Sequence, residues 1–212
     1  MIKVINVTKR IKQQQILDHI NVEIETGKCY GFIGYNGSGK TMLLRAICGF
    51  MPLDEGEVWV GEKKIGKDKE FIEGAGIVIG ETSFLEGKSG YDNLKILAEI
   101  QGIIGDKEIL DILAEMDLLK EKDKKVRKYS MGMKQRLRMA QALMENPSIL
   151  ILDEPFNALD KSGVLHMQEI LSQAKAEGKT ILLTSHDERN IELLCDKVFE
   201  MDRGKIIKGE SA

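Results

Sequence analysis

The chain has 212 residues, 42% hydrophobic, 31% charged and 5% aromatic, which suits one large domain or two small ones at roughly 100–200 residues each. A chain of this size buries about 70% of its unfolded surface and needs no disulfide or metal support. Lysine plus arginine number 31 against 34 aspartates and glutamates, a formal charge of −3; this near balance excludes the basic excess of a dedicated nucleic-acid binder, and the apolar content excludes disorder. Met1-Ile2-Lys3-Val4 begins no apolar stretch, so no secretory signal is expected. The longest clean aliphatic run, Ile149-Leu150-Ile151-Leu152, is far short of the ~20 residues that cross a bilayer, so any membrane role must go through a partner. Cys29, Cys48 and Cys195 are odd in number, widely spaced and form no CxxC pair, which points to small buried hydrophobes in a reducing compartment, without zinc or a disulfide framework.

The first 30 residues alternate apolar and polar, as in Ile2-Val4 and Val22-Ile24, and predict half-buried antiparallel strands. Residues 29–34 read as a buried strand feeding a glycine-rich loop. A helical pattern runs from Thr41 to Phe50 and is expected to end at Pro52. Val58-Trp59-Val60 and Gly76-Ile77-Val78-Ile79 read as two more strands. Residues 90–145 carry helical spacing almost throughout (Leu94, Leu97, Ala98, Ile109, Ile112, Leu113, Met116) and predict an inserted helical subdomain. The basic stretch from Lys120 to Lys128 is interleaved with acids and reads as a solvated face. Beyond Pro147 the chain alternates again: strand 148–152, helix 162–176, strand 180–184, helix 187–195, then a hairpin of 197–202 and 205–208 about Arg203-Gly204. Such alternation predicts a parallel sheet covered on both faces.

Gly34-Tyr35-Asn36-Gly37-Ser38-Gly39-Lys40-Thr41 fits G-x-x-x-x-G-K-[ST] at every fixed position, between an expected strand and an expected helix. Glycines let the backbone curl so that successive N–H groups converge on an anion, and the helix adds its positive end. Lys40 supplies a cation for the β- and γ-phosphates, and Thr41 a hydroxyl for Mg²⁺. This loop alone says only that a nucleoside triphosphate binds. The aliphatic strand that ends in Asp153-Glu154 supplies the other half, because a buried strand does not end in paired acids without compensation. Asp153 is placed to hold the metal, and Glu154 to polarise the water that attacks the γ-phosphate.

Tyr129-Ser130-Met131-Gly132-Met133-Lys134-Gln135-Arg136, just upstream of that strand, resembles the signature motif of ABC-type ATPases, a variant of L-S-G-G-Q. Ser130 suits the N-cap of a helix that starts near Met131, and Gly132 leaves room for a phosphate. Asn157-Ala158-Leu159-Asp160 resembles the family's D-loop, and His186 in Thr184-Ser185-His186 its switch histidine, at a strand's carboxyl end where open α/β sheets place ligands. His19 and His166 have no such setting. The resemblance covers Val4 to Lys208 with five motifs in order. It implies one ABC-type domain over residues 1–212, with 1–80 and 146–212 as nucleotide-binding core and about 81–145 as helical subdomain. The implied fold is α/β: a P-loop NTPase with a mixed, mainly parallel sheet and an N-terminal antiparallel β subdomain. It also implies ATP and Mg²⁺ as ligands and a head-to-tail homodimer in which Ser130 and Gly132 act in trans, with Asp160 nearby. Glu154, His186 and Lys40 are the implied catalytic set.

The sequence departs from the family at three places. Ile11, in Lys9-Arg10-Ile11-Lys12, stands where an aromatic usually stacks on adenine, which leaves the ATP over GTP preference open. Met42 replaces a second hydroxyl after Thr41 and leaves only a backbone donor to phosphate. No glutamine lies between Gly74 and Asn93 for the Q-loop; Glu81 is the candidate Mg²⁺ contact in its place. A glutamate there resembles the branch that confers bacitracin resistance and lantibiotic immunity. The expected function is therefore the ATP-hydrolysing subunit of a peptide-antibiotic or drug exporter. It is expected in the cytoplasm, on the inner face of the membrane through a separate permease, with no nucleic-acid partner. A soluble small-molecule kinase and a non-transport ABC-type ATPase are the alternatives.

Overall fold

The computed structural model describes residues 1–80 and 83–211. Ten strands form two sheets, the first entirely antiparallel and the second mostly parallel. β1 (Ile2–Ile11) and β2 (Gln14–Ile24) form a hairpin. β4 (Glu55–Val60) pairs with the other side of β1 and then with the short β5 (Lys63–Lys64). Alternation of buried Ile2, Val4, Val22 and Ile24 with solvated neighbours gives these strands one covered face, as the sequence pattern predicts.

The second sheet has the order β10-β9-β3-β8-β7-β6. β3 (Cys29–Ile33), β6 (Ala75–Val78), β7 (Ile149–Leu152), β8 (Thr180–Ser185) and β9 (Lys197–Asp202) run parallel, and β10 (Lys205–Ser211) closes the edge antiparallel to β9. Successive side chains of the inner strands enter opposite cores. Leu150, Leu152, Ile181 and Leu183 join one hydrophobic cluster; Ile151 and Leu182 join the other with Phe32, Leu43 and Ile47. Both faces of these strands are therefore dry, which is why they read as unbroken aliphatic runs.

α1 (Lys40–Cys48) ends at Gly49, whose left-handed backbone (φ 84°) returns its N–H to Ala46. The stop thus comes before the expected Phe50 and Pro52, because glycine adopts the C-cap conformation without a Cβ penalty. α2 (Gly90–Gln101), α3 (Asp106–Glu115) and α4 (Met131–Leu143) lie between β6 and β7 in sequence. Ser89 caps α2 in a reciprocal box with Asp92. Leu94, Leu113 and Leu137 of these helices, with Met116 just past α3, are fully buried in the same cluster as Leu150 and Leu152.

α5 (Lys161–Ala176) follows β7, and Asp160 caps it by accepting the Gly163 N–H at 2.9 Å. The expected helix 187–195 does not form. Glu188–Asn190 is a single 3-10 turn, followed by turns in which Leu194 and Cys195 donate back to Ile191. The Asp187 side chain caps that turn by accepting the Arg189 N–H, and at the other end the Asp196 N–H is committed to the Cys29 carbonyl at the start of β3, which leads the chain into β9.

All three cysteines are free and buried. The sequence separates Cys29 and Cys195, yet their sulfurs lie 3.4 Å apart. The contact with Cys195, reinforced by burial, pushes the Cys29 thiol far up, and burial pushes Cys48 up to about 12. A thiol reagent at neutral pH is expected to modify essentially none of the three in the native protein and all of them in guanidinium. Rapid native-state labelling of Cys29 or Cys48 would contradict this packing.

Candidate active site

β3 delivers the chain into the loop Gly34–Gly39, and α1 begins at Lys40. Gly34 has φ 143°, and a Cβ there would stand 2.2 Å from the Met201 carbonyl oxygen, so no other residue fits. Gly37 has φ 82° and nothing within 4 Å of its Cβ position, so here backbone conformation selects glycine while the loop's mouth stays open. Asn36 and Gly37 are exposed, and Ser38 and Gly39 are buried. The Ser38 Oγ is buried and has no hydrogen-bond partner among the described residues, an orphaned polar atom in the loop that a phosphate oxygen would satisfy.

Lys40 is buried and folds over its own loop. Its Nζ donates to the carbonyls of Gly34 at 2.6 Å and Tyr35 at 3.2 Å. Burial lowers its pKa, against the opposing pull of Glu154 and Asp153. The ammonium thus rests on the loop's own carbonyls, within electrostatic reach of two carboxylates. Met42, half-buried, packs its side chain against the core, so only its backbone faces the loop's task.

Asp153 and Glu154 directly follow β7. The Thr41 Oγ1 donates to Asp153 at 2.8 Å, and the Thr184 Oγ1 donates to its other oxygen at 2.7 Å. Thr184, fully buried near the end of β8, also accepts the Glu154 N–H at 2.9 Å. Glu154 has φ 52°, left-handed for a residue with a side chain; such backbone costs an L-residue on the order of 1–3 kcal/mol and persists only when neighbours hold it. The His186 Nδ1 lies 2.9 Å from Glu154 Oε2, at the carboxyl end of β8. Lys40, Thr41, Asp153, Glu154 and His186 are therefore brought together, as the sequence predicts.

Thr41 and Asp153 are hard oxygen donors beside a phosphate cradle, which suits Mg²⁺, an ion that keeps most of its ligands as water and phosphate. Among the described residues no cluster of three or more His, Cys, Asp or Glu could hold a metal by itself. Glu81, the expected third Mg²⁺ contact, lies outside the described residues.

Ser130, Gly132 and Asp160 stand apart from this set. Ser130 is exposed and caps α4 through the Met133 N–H at 3.2 Å. Gly132 sits against the D-loop, where a Cβ would be 3.0 Å from the Ala158 carbonyl oxygen. The carboxyl of Asp160 is held below its ordinary value, first by the Gly163 N–H and then by Ser162. Among the described residues no hydrogen bond joins these three to the phosphate loop. Ile11, half-exposed at the tip of the β1–β2 hairpin, offers an aliphatic surface only. Two residues without a role in the sequence reading belong here. Thr184 was detectable as a hydroxyl at the end of a buried strand. Gln135 lies within the signature stretch but carries no role in the sequence reading; its buried amide donates to the carbonyls of Glu154 at 3.3 Å and Pro155 at 3.0 Å.

The profile of the family described as "ABC transporter" matches residues 17–157. The chain is 44% identical to the uncharacterized ABC transporter ATP-binding protein YybJ of Bacillus subtilis, over 99% of this chain and 96% of that one. It is 37% identical to the bacitracin transport ATP-binding protein BcrA of Bacillus licheniformis, over 98% and 69%. It is 35% identical to the lantibiotic transport ATP-binding protein SrtF of Streptococcus pyogenes, over 98% and 89%. The dimeric structure of MJ0796, a bacterial ABC transporter cassette, superposes with a TM-score of 0.89 at 25% identity, over 100% of this chain and 98% of that one. The chain therefore belongs to the ABC transporter family as one of its ATP-binding subunits.

Proposed function

We propose that this subunit hydrolyses Mg-ATP to drive export of a peptide antibiotic or drug through a separate membrane permease. The observation that carries the hydrolytic part is the convergence of Lys40, Thr41, Asp153, Glu154 and His186 at one end of the parallel sheet. Bound Mg²⁺ would neutralise developing phosphate charge, with Thr41 and Asp153 as its protein ligands. The residues divide the remaining work. Loop N–H groups and Lys40 bind and orient the phosphates. Glu154 takes the proton of the attacking water, and His186, 2.9 Å from the Glu154 carboxylate, fixes that base and reaches toward the γ-phosphate. Ser130 and Gly132, exposed or half-exposed at the head of α4, face a second copy, so two chains would close head to tail over two nucleotides.

Among the described residues no helix is long and apolar enough to cross a membrane, which supports attachment to the inner membrane face through the permease. The likeness to BcrA and SrtF supports the class of cargo. Residues 81–145 are proposed as the helical subdomain and 1–80 with 146–212 as the core.

Glu154→Gln is expected to keep ATP binding and to lower the hydrolysis rate at least 10²-fold, the lower end of what a positioned base contributes. Light scattering should show this variant shifting from monomer to dimer with Mg-ATP. Undiminished turnover would remove Glu154 from the chemistry. Chelation of divalent metal should abolish wild-type turnover, and turnover that survives it would overturn the assignment of Thr41 and Asp153 as metal ligands.

A further inference from the structure

Gln135 is buried on α4, little more than one helical turn beyond the Ser130 cap. Its side-chain nitrogen has two protons, and two acceptors are in reach: the Glu154 carbonyl at 3.3 Å and the Pro155 carbonyl at 3.0 Å. Its oxygen accepts from Arg138 Nη1 at 3.3 Å. That last contact sets the amide's orientation, because the reverse flip would press an oxygen against two carbonyl oxygens. Glu154 has a left-handed backbone, a conformation that persists only when the surrounding structure over-determines it. Thr184 holds the preceding peptide through the Glu154 N–H. The Glu154 carbonyl of the following peptide accepts the Asn157 backbone N–H at 3.2 Å, and among the side chains of the described residues it is Gln135 that adds a second donor to it.

We propose that Gln135 is a positioning residue for ATP hydrolysis, its amide locking the Glu154 backbone in the conformation that aims the carboxylate. The proposal rests on the hydrolytic reading given above. It has a mechanical consequence. α4 carries Ser130 at its head and Gln135 in the next turn, so a displacement of the signature end registers at the base through one side chain. Packing alone does not need an amide here, since an apolar side chain of the same length would fill the space.

The test uses the full chain with Gln135→Met, which keeps length but removes the donor, and Gln135→Glu, which keeps shape but only accepts. Wild type runs beside them. In both variants kcat should fall about 10- to 100-fold, part of the 10²–10⁴ that a positioned base contributes. KM for ATP should stay within about twofold, because ground-state binding is untouched. Without nucleotide, amide hydrogen exchange across residues 149–158 should accelerate while α5 is unchanged. Unchanged kcat and exchange in both variants would overturn the proposal. So would a loss confined to KM or matched by a general fall in thermal stability, the mark of a merely structural tie. Wild type that hydrolyses no ATP would instead overturn the hydrolytic reading; an active wild type with indifferent variants overturns the clamp alone.

Discussion

Asp153 joins three segments that are far apart in sequence. One of its oxygens accepts from Thr41 at the start of α1, the other from Thr184 near the end of β8, and its N–H donates to Val78 of β6. An unpaired carboxylate at the end of a dry strand would be costly to bury; two hydroxyls offset that cost. The helix that follows the phosphate loop, the acidic strand end and the end of β8, which leads to His186, are thereby fixed relative to one another. Such pre-organisation is what electrostatic stabilisation of a phosphoryl transition state requires, because the donors then need no reorganisation at the moment of reaction.

The same logic extends one residue further. Glu154 sits in a strained backbone held from three directions, by Thr184, His186 and Gln135. Two of these come from β8 and its end, the third from α4. The hydrolytic base in the proposed mechanism is therefore attached both to the rigid sheet and to the helix that begins at Ser130. Asp153 and Glu154 share Thr184 as a hydrogen-bond partner, and only Glu154 is bonded to α4 as well.

How much of this could be read from the sequence depended on the range of the interactions involved. The phosphate loop was legible from its spacing, and Gly37 answers to its own backbone conformation, while the close approach of Met201 that requires Gly34 is tertiary. Strands β7 and β8 were legible because burial on both faces leaves an aliphatic run. The segment 187–195 was misread because its apolar spacing suits a helix, while the return of the Asp196 N–H to Cys29, a contact remote in sequence, draws the chain toward the sheet. Neither the left-handed Glu154 nor the Gln135 clamp leaves a local trace; both exist through contacts across some 20 residues of chain. The Cys29–Cys195 contact is likewise tertiary, between the start of one strand and the approach to its neighbour.

Central to the proposed function is that one chain would hold only half of each ATP site, with Lys40 serving one nucleotide and Ser130 the nucleotide of the other copy. Mixing two variants tests this directly. Lys40→Ala and Ser130→Arg should each be inactive alone. In the mixed dimer one site carries both lesions and the other carries none, so ATP hydrolysis should return on mixing. Two inactive variants that stay inactive together, while light scattering shows that they do pair, would contradict the account and place each complete site within a single chain.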